Sequence, residues 1–189
     1  MDQTLTAYIR TAAANLERAA NAGLDQQMEA AIAAMSAALK ARHPVLVCGN
    51  GGSQSDAQHI AGELASRFLR EGKGLPVIAL GANSATLTAW SNDYAYDTIF
   101  AREVEAYGAA GGVCLGISTS GNSRNVVNAL ERARDLSMRT IGLTGNGGGR
   151  IKDVADILLD VPEKSTPRIQ EIHICLFHYM CGRVEANCR

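Results

Sequence analysis

In the segment Asp56-Ala57-Gln58-His59-Ile60-Ala61-Gly62-Glu63, an imidazole and a carboxylate stand four residues apart. On a helix they share one face. Such a pair serves as a solvated ion pair, as two metal ligands, or as an acid and a base that move protons. A second stretch, Arg168-Ile169-Gln170-Glu171-Ile172-His173-Ile174-Cys175-Leu176-Phe177-His178, offers further partners. Gln170 and His178 are eight residues apart, about 80° around a helix and about 12 Å along it. They share a flank but lie near the limit for meeting at one small ion. His173 points away from His178, and His178, between Phe177 and Tyr179, also fits a satisfied core histidine. Asn92-Asp93-Tyr94 could reach sugar hydroxyls or simply cap a helix.

Three loops rich in Gly, Ser, Thr and Asn accompany these residues. They are Gly49-Asn50-Gly51-Gly52-Ser53-Gln54-Ser55, Ser118-Thr119-Ser120-Gly121-Asn122-Ser123 and Thr144-Gly145-Asn146-Gly147-Gly148-Gly149. Backbone N–H groups freed by glycine, serine hydroxyls and a helix N-terminus together make an anion cradle. The second loop suits a phosphate best, because several hydroxyls can donate to separate oxygens. None of the loops contains the Gly-Lys-Ser/Thr triplet of a nucleotide P-loop. The dinucleotide fingerprint fails as well, since the position of its third glycine holds Gln54 or Arg150. The expected anion is therefore a sugar phosphate rather than a nucleotide pyrophosphate.

The elements that must carry these loops follow from the apolar pattern. Short apolar runs at 45–48, 77–80, 113–117, 140–143 and 157–161 alternate with polar loops and helical segments. That alternation predicts a parallel sheet covered on both faces, a three-layer α/β/α sandwich with its ligand at the carboxyl ends of the strands. Residues 3–20 and 25–41 read as two helices separated by Asn21-Ala22-Gly23. Met28, Ile32, Met35 and Leu39 form an apolar stripe that must pack on the core or on another subunit. Thr166 is the expected N-cap of a terminal helix reaching about Asn187, with Pro167 at its first position.

Composition narrows the function. The chain has 189 residues, 47% of them hydrophobic, with 18 Lys+Arg against 19 Asp+Glu and a net charge of -1. There is no basic excess to attract nucleic acid or an anionic membrane, and no apolar run long enough for a membrane span. Met1 to Arg10 lacks the pattern of a signal peptide. Five cysteines with no C-x-x-C spacing favour neither a disulfide framework nor a zinc ribbon. A cytoplasmic protein of one domain is expected.

Together these motifs resemble the phosphoheptose isomerases, members of the sugar isomerase (SIS) domain family with a flavodoxin-like fold. The resemblance rests on Gly49-Asn50-Gly51-Gly52-Ser53, Asp56-Ala57-Gln58-His59 with Glu63, Asn92-Asp93, Ser118-Thr119-Ser120-Gly121-Asn122-Ser123, and Arg168-Ile169-Gln170-Glu171 with His178. It covers nearly the whole chain and implies one SIS domain over 1–189, with helices 1–41 as oligomer interface and 42–189 as the sugar-phosphate-binding core. It further implies isomerisation of D-sedoheptulose 7-phosphate to D-glycero-D-manno-heptose 7-phosphate, with Glu63 and His178 as the acid/base pair. Gly51, Gly52, Ser53, Glu63, Asn92, Asp93, Ser118, Thr119, Ser120, Ser123 and Gln170 match the family's substrate contacts. His59, Glu63, Gln170 and His178 match the ligands of one zinc ion per subunit, and a homotetramer with active sites at subunit interfaces is implied. A non-catalytic SIS protein, binding a replication initiator or sensing a sugar phosphate, is the alternative. Such an initiator-binding relative lacks the carboxylate and imidazole that Glu63 and His178 supply here.

Overall fold

The computed structural model describes residues 4–189. Five strands, β1 (Val45–Cys48), β2 (Val77–Ala79), β3 (Val113–Ser118), β4 (Arg139–Thr144) and β5 (Ile157–Asp160), pair in parallel in the order β2-β1-β3-β4-β5. The helices are α1 (Leu5–Ala20), α2 (Asp25–Lys40), α3 (Gly52–Ala65), α4 (Ser84–Asp93), α5 (Ile99–Tyr107), α6 (Arg124–Asp135) and α7 (Thr166–Cys188), with 3-10 turns at Tyr96–Thr98 and Gly149–Asp153. From β1 the chain first builds outward to β2 and then returns to place β3 on the other side. The connections after β1 and β3 therefore diverge, which leaves a crevice at their carboxyl ends.

Alternation along the strands decides which layer each side chain joins. Val45 and Val47 of β1 enter one core with Leu115, Ile117, Ile141 and Leu143, beneath α2, α3 and α7. Leu46 and Cys48 enter the other with Cys114, beneath α5 and α6. All four residues of β1 are buried, the signature of a strand covered on both faces. The stripe Met28, Ile32, Met35 and Leu39 packs into the first of these cores. Burial of each such aliphatic side chain contributes roughly 1.5–3 kcal/mol. By contrast α1 buries only Asn15 and Ala19 and leaves Leu5 and Ile9 exposed.

The strand boundaries fall within a residue or two of the expected ones. β2 stops at Ala79 rather than at residue 80, although the Leu80 N–H still donates to the Val47 carbonyl at 2.8 Å. One expectation is corrected: the N-cap of α7 is Ser165 and not Thr166, which is already helical. Pro167 tolerates the shift because no N–H of the first turn has an intrahelical partner to lose. No helix of the described residues is long and apolar enough to cross a membrane. All five cysteines are free thiols, with Cys48 and Cys114 buried on adjacent strands.

Candidate active site

The crevice is lined by two kinds of structure. At the end of β3 the chain turns through Ser118–Ser123 into α6, whose N-cap is Ser123. The Ser118 and Ser123 hydroxyls lie 2.9 Å apart, and Ser120 Oγ stands 3.5 Å from Ser118 Oγ and accepts the Asn122 N–H. Three hydroxyls thus gather over the positive end of the α6 dipole. Gly121 has φ +66, and a side chain there would run into the backbone of Gly148 and Gly149. Only glycine permits both the turn and that close approach.

The third loop, read from sequence as another anion cradle, has a different part. Its Gly145 N–H donates to the Thr119 carbonyl at 3.1 Å, the Arg150 N–H to Asn122 Oδ1, and the Ile151 N–H to the Gly121 carbonyl. Those donors are spent on bracing the second loop. The first loop is tied to α6 by a reciprocal amide pair. Asn50 Nδ2 donates to Asn125 Oδ1 at 2.9 Å, and Asn125 Nδ2 donates back to Asn50 Oδ1 at 2.8 Å. The Tyr96 hydroxyl also donates to Asn50 Oδ1. Sequence reading assigned no role to Asn125 or Tyr96. The asparagines that follow two neighbouring strands, one in the loop after β1 and one in the first turn of α6, were the available signal, but only the strand order shows that they meet.

On the other side of the crevice stand α3 and α7. Gly51, with φ +56, turns the chain into α3, and Ser53 is 4% exposed in its first turn. The amide of Gln170 lies against the Cα of Gly52, leaving no room for a side chain at that position. This contact brings the starts of the two helices together. About two turns further along, His59 Nε2 is 2.9 Å from Glu63 Oε1 and 3.5 Å from His178 Nε2. Ligand atoms of all three lie within 4.8 Å of one another. Gln170 makes no hydrogen bond to any of them; its amide lies against Gly52 at the start of α3.

His178 is stacked on Phe68, centroids 5.7 Å apart at 23°, and meets His59 and Phe177 edge-on. The Glu63 side chain is 21% exposed and that of His59 40%, so the cluster is open to a ligand yet partly desolvated. Burial, followed by the charges of Glu63 and Glu185, pushes the Cys181 thiol up to about 12. It is not among the clustered ligand atoms, which are those of His59, Glu63 and His178. His173, by contrast, is fully buried with Nε2 3.2 Å from the Thr144 carbonyl. Burial drives its pKa down to about 4 against the raising effect of that bond, so the ring is neutral and belongs to the core.

The trio suits a divalent metal. Two nitrogens on a tetrahedral zinc, with bonds of about 2.05 Å, lie about 3.3 Å apart, close to the His59–His178 separation. A carboxylate beside two imidazoles completes a common zinc donor set. Asn92 and Asp93 end α4, both exposed, with Asn92 Nδ2 donating to Asp93 Oδ1 at 2.9 Å. The following 3-10 turn packs on the start of α6, where Arg124 pairs with Asp97 and Asn128 donates to the Asp97 carbonyl. Asn92 and Asp93 thereby sit just ahead of the turn that packs on the start of α6. No contact joins them to the trio.

Residues 7–145 match the model of the SIS domain family. A phosphoheptose isomerase of Crocosphaera subtropica is 53% identical over 172 residues, covering 91% of this chain and 88% of that protein. The structure of a phosphoheptose isomerase from Neisseria gonorrhoeae superposes with a TM-score of 0.90 at 39% identity, over 96% of this chain and 97% of the other. One from Francisella tularensis gives 0.91 at 38% identity, over 96% of each.

Proposed function

The chain belongs to the SIS-domain family and, within it, to the phosphoheptose isomerases, and on that premise we propose the substrate, the route and the residues of its isomerase activity. The substrate is D-sedoheptulose 7-phosphate and the product D-glycero-D-manno-heptose 7-phosphate, the first step toward nucleotide-activated heptose. One observation carries the reading: His59, Glu63 and His178 meet between α3 and α7, while the loop that opens α3 is bonded through Asn50 and Asn125 to the hydroxyl-lined start of α6.

The phosphate binds over Ser118, Thr119, Ser120 and Ser123, where the α6 dipole and the hydroxyls offset its charge without a lysine or arginine. Gly51, Gly52 and Ser53 line the crevice, while Asn92, Asp93 and Gln170 hold sugar hydroxyls. The reacting end then reaches Glu63 and His178. Isomerisation needs one group to take a proton from the carbon next to the carbonyl and another to protonate the carbonyl oxygen. A carboxylate and an imidazole supply both roles near neutral pH. The intermediate is an enediol; the proton taken from the first carbon is then delivered to the second, while the other group removes the hydroxyl proton from the oxygen on the first carbon, which becomes the new carbonyl. Phe68 and Phe177 exclude water from the His178 ring. His59, Glu63 and His178, with Gln170, would hold one zinc ion per subunit, which polarises carbonyl and diol oxygens when bound.

In this reading residues 1–189 form one cytoplasmic SIS domain that assembles as a homotetramer with active sites between subunits. The exposure of Leu5, Tyr8 and Ile9 on α1 supports helices 1–41 as assembly surface. The test is incubation of the purified protein with sedoheptulose 7-phosphate, with and without zinc, following the aldose by NMR. Appearance of the aldose heptose phosphate is expected. No turnover under either condition contradicts the reading and favours a sugar-phosphate-binding protein.

A further inference from the structure

The segment between α3 and β2, residues 66–76, contains no strand and no helix, yet it carries Phe68, whose ring stacks on His178. At residues 68–70 the backbone N–H groups of this segment are held by one buried carboxylate. Glu185 has no exposed surface and accepts three consecutive backbone N–H groups. Phe68 donates to Oε1 at 3.0 Å, while Leu69 and Arg70 donate to Oε2 at 2.7 and 2.9 Å. The Arg189 guanidinium adds a charge-assisted bond to Oε1 at 2.6 Å and itself donates to the carbonyls of Leu64, Ser66 and Arg70. Successive N–H groups converging on one anion form a nest. Here the anion comes from the protein's own terminal helix. Burial works against the Glu185 charge, but the three N–H groups and Arg189 outweigh it and hold its pKa below the usual carboxylate range.

The placement of Glu185 on α7 gives the nest a consequence. Seven residues separate it from His178, about two turns, so both project from the same face of one helix. That helix thus presents the imidazole and also fixes the backbone whose aromatic ring covers it. The His178 ring meets Phe68 on its face and His59 and Phe177 at its edges. With Phe68 absent, the imidazole gains a route to rotate away from His59 and Glu63. Misplacement of a reacting group by about 1 Å costs on the order of 100-fold in rate.

We propose that Glu185 is a positioning residue: by holding the backbone at 68–70 it seats Phe68 on His178 and keeps that imidazole aligned for proton transfer. This rests on the assignment of His178 to the reaction. Glu185 touches neither substrate nor the reacting atoms. An amide in its place offers one acceptor oxygen and an NH2 group that must face either the nest or Arg189, so Glu185→Gln loosens the segment while conserving volume.

The experiment is a double-mutant cycle with Phe68→Ala, Glu185→Gln and both together, read as kcat and KM with sedoheptulose 7-phosphate. Loss of an outer partner of a site imidazole typically costs about 10- to 100-fold. Each single variant is expected to lose that much in kcat with KM little changed, and Phe68→Tyr, which keeps the stack, to retain activity. The double variant should be no slower than the slower single one, because Glu185 acts through Phe68. Hydrogen exchange of the 68–70 amides should accelerate in Glu185→Gln. Losses that multiply in the double variant, or a Phe68→Ala enzyme with unchanged kcat, overturn the proposal. If Glu185→Gln does not fold, the Phe68→Ala and Phe68→Tyr pair still decides it. Absence of turnover in the wild-type protein speaks against the assigned reaction, whereas an active wild type with insensitive variants speaks against this inference alone.

Discussion

The proposed site has two walls, built on opposite principles. One is backbone and hydroxyl: the Ser118–Ser123 turn, braced by the third loop through Gly145, Arg150 and Ile151. The other is side chain: an imidazole and a carboxylate from α3 meet an imidazole from α7, 119 residues away in sequence for His59 and His178. The first wall adds no formal charge, so the proposed anion site is compatible with a chain of net charge -1. The second concentrates titratable groups where desolvation and proximity favour proton transfer. A phosphate can be held by backbone N–H groups and hydroxyls at a helix N-terminus without any formal charge. Chemistry on the sugar needs groups that change protonation state, and only side chains provide those.

Substitutions separate the two walls by what they change. The largest effect belongs to the side-chain wall. Glu63→Gln and His178→Ala are each expected to lower kcat by about 10³-fold, within the range for a general acid or base, while the folded assembly survives. Steady-state kinetics and a sedimentation profile check both points. Retained activity in either variant removes that residue from its role and leaves the contrast between the walls without its chemical half.

A smaller effect belongs to His173, on the same helix as His178 but in the core. Its pKa is about 4 in the folded protein against 6.5 for the free group. Below pH 6.5 the unfolded chain takes up a proton that the folded chain refuses, so stability falls as pH drops from 6.5 to about 4 and then levels. The loss approaches about 3 kcal/mol. Urea midpoints between pH 7 and 4.5 should fall less steeply in His173→Gln than in the wild type. Equal slopes mean that His173 is not held neutral by burial.

The smallest effect belongs to the backbone wall. Ser123→Ala removes one of several phosphate donors and is expected to raise KM about tenfold, the order of one hydrogen bond to a charged group. kcat should stay within about twofold, because the reacting end is untouched. A fall in kcat with constant KM would place Ser123 with the chemistry instead.

Much of this was legible in the sequence, for physical reasons that also mark where legibility stops. Continuous apolar runs such as Val45–Cys48 announce strands buried on both faces, and the Gly/Ser loops announce turns at their ends. The i,i+4 spacing of His59 and Glu63 places them on one helical face without any tertiary information. His178, however, could be read equally as a core histidine, because nothing local says that α7 lies beside α3. The third loop looked like another cradle because its composition matches; the structure shows its Gly145 N–H, with the Arg150 and Ile151 N–H groups that follow it, spent on Thr119, Asn122 and Gly121. Glu185 gave no signal at all. A glutamate near the end of a helix reads as solvent-facing until the loop that wraps it is seen.

The central claim is that the side-chain wall moves protons while the backbone wall only binds. The most direct measurement is turnover of sedoheptulose 7-phosphate in D2O by wild-type and Glu63→Gln protein, with deuterium located by NMR. The wild type should place solvent deuterium on the aldose carbon next to the carbonyl as the reaction equilibrates, and Glu63→Gln should bind the sugar phosphate but exchange nothing. Deuterium entering that carbon at an undiminished rate in Glu63→Gln contradicts the proton-transfer role of the side-chain wall.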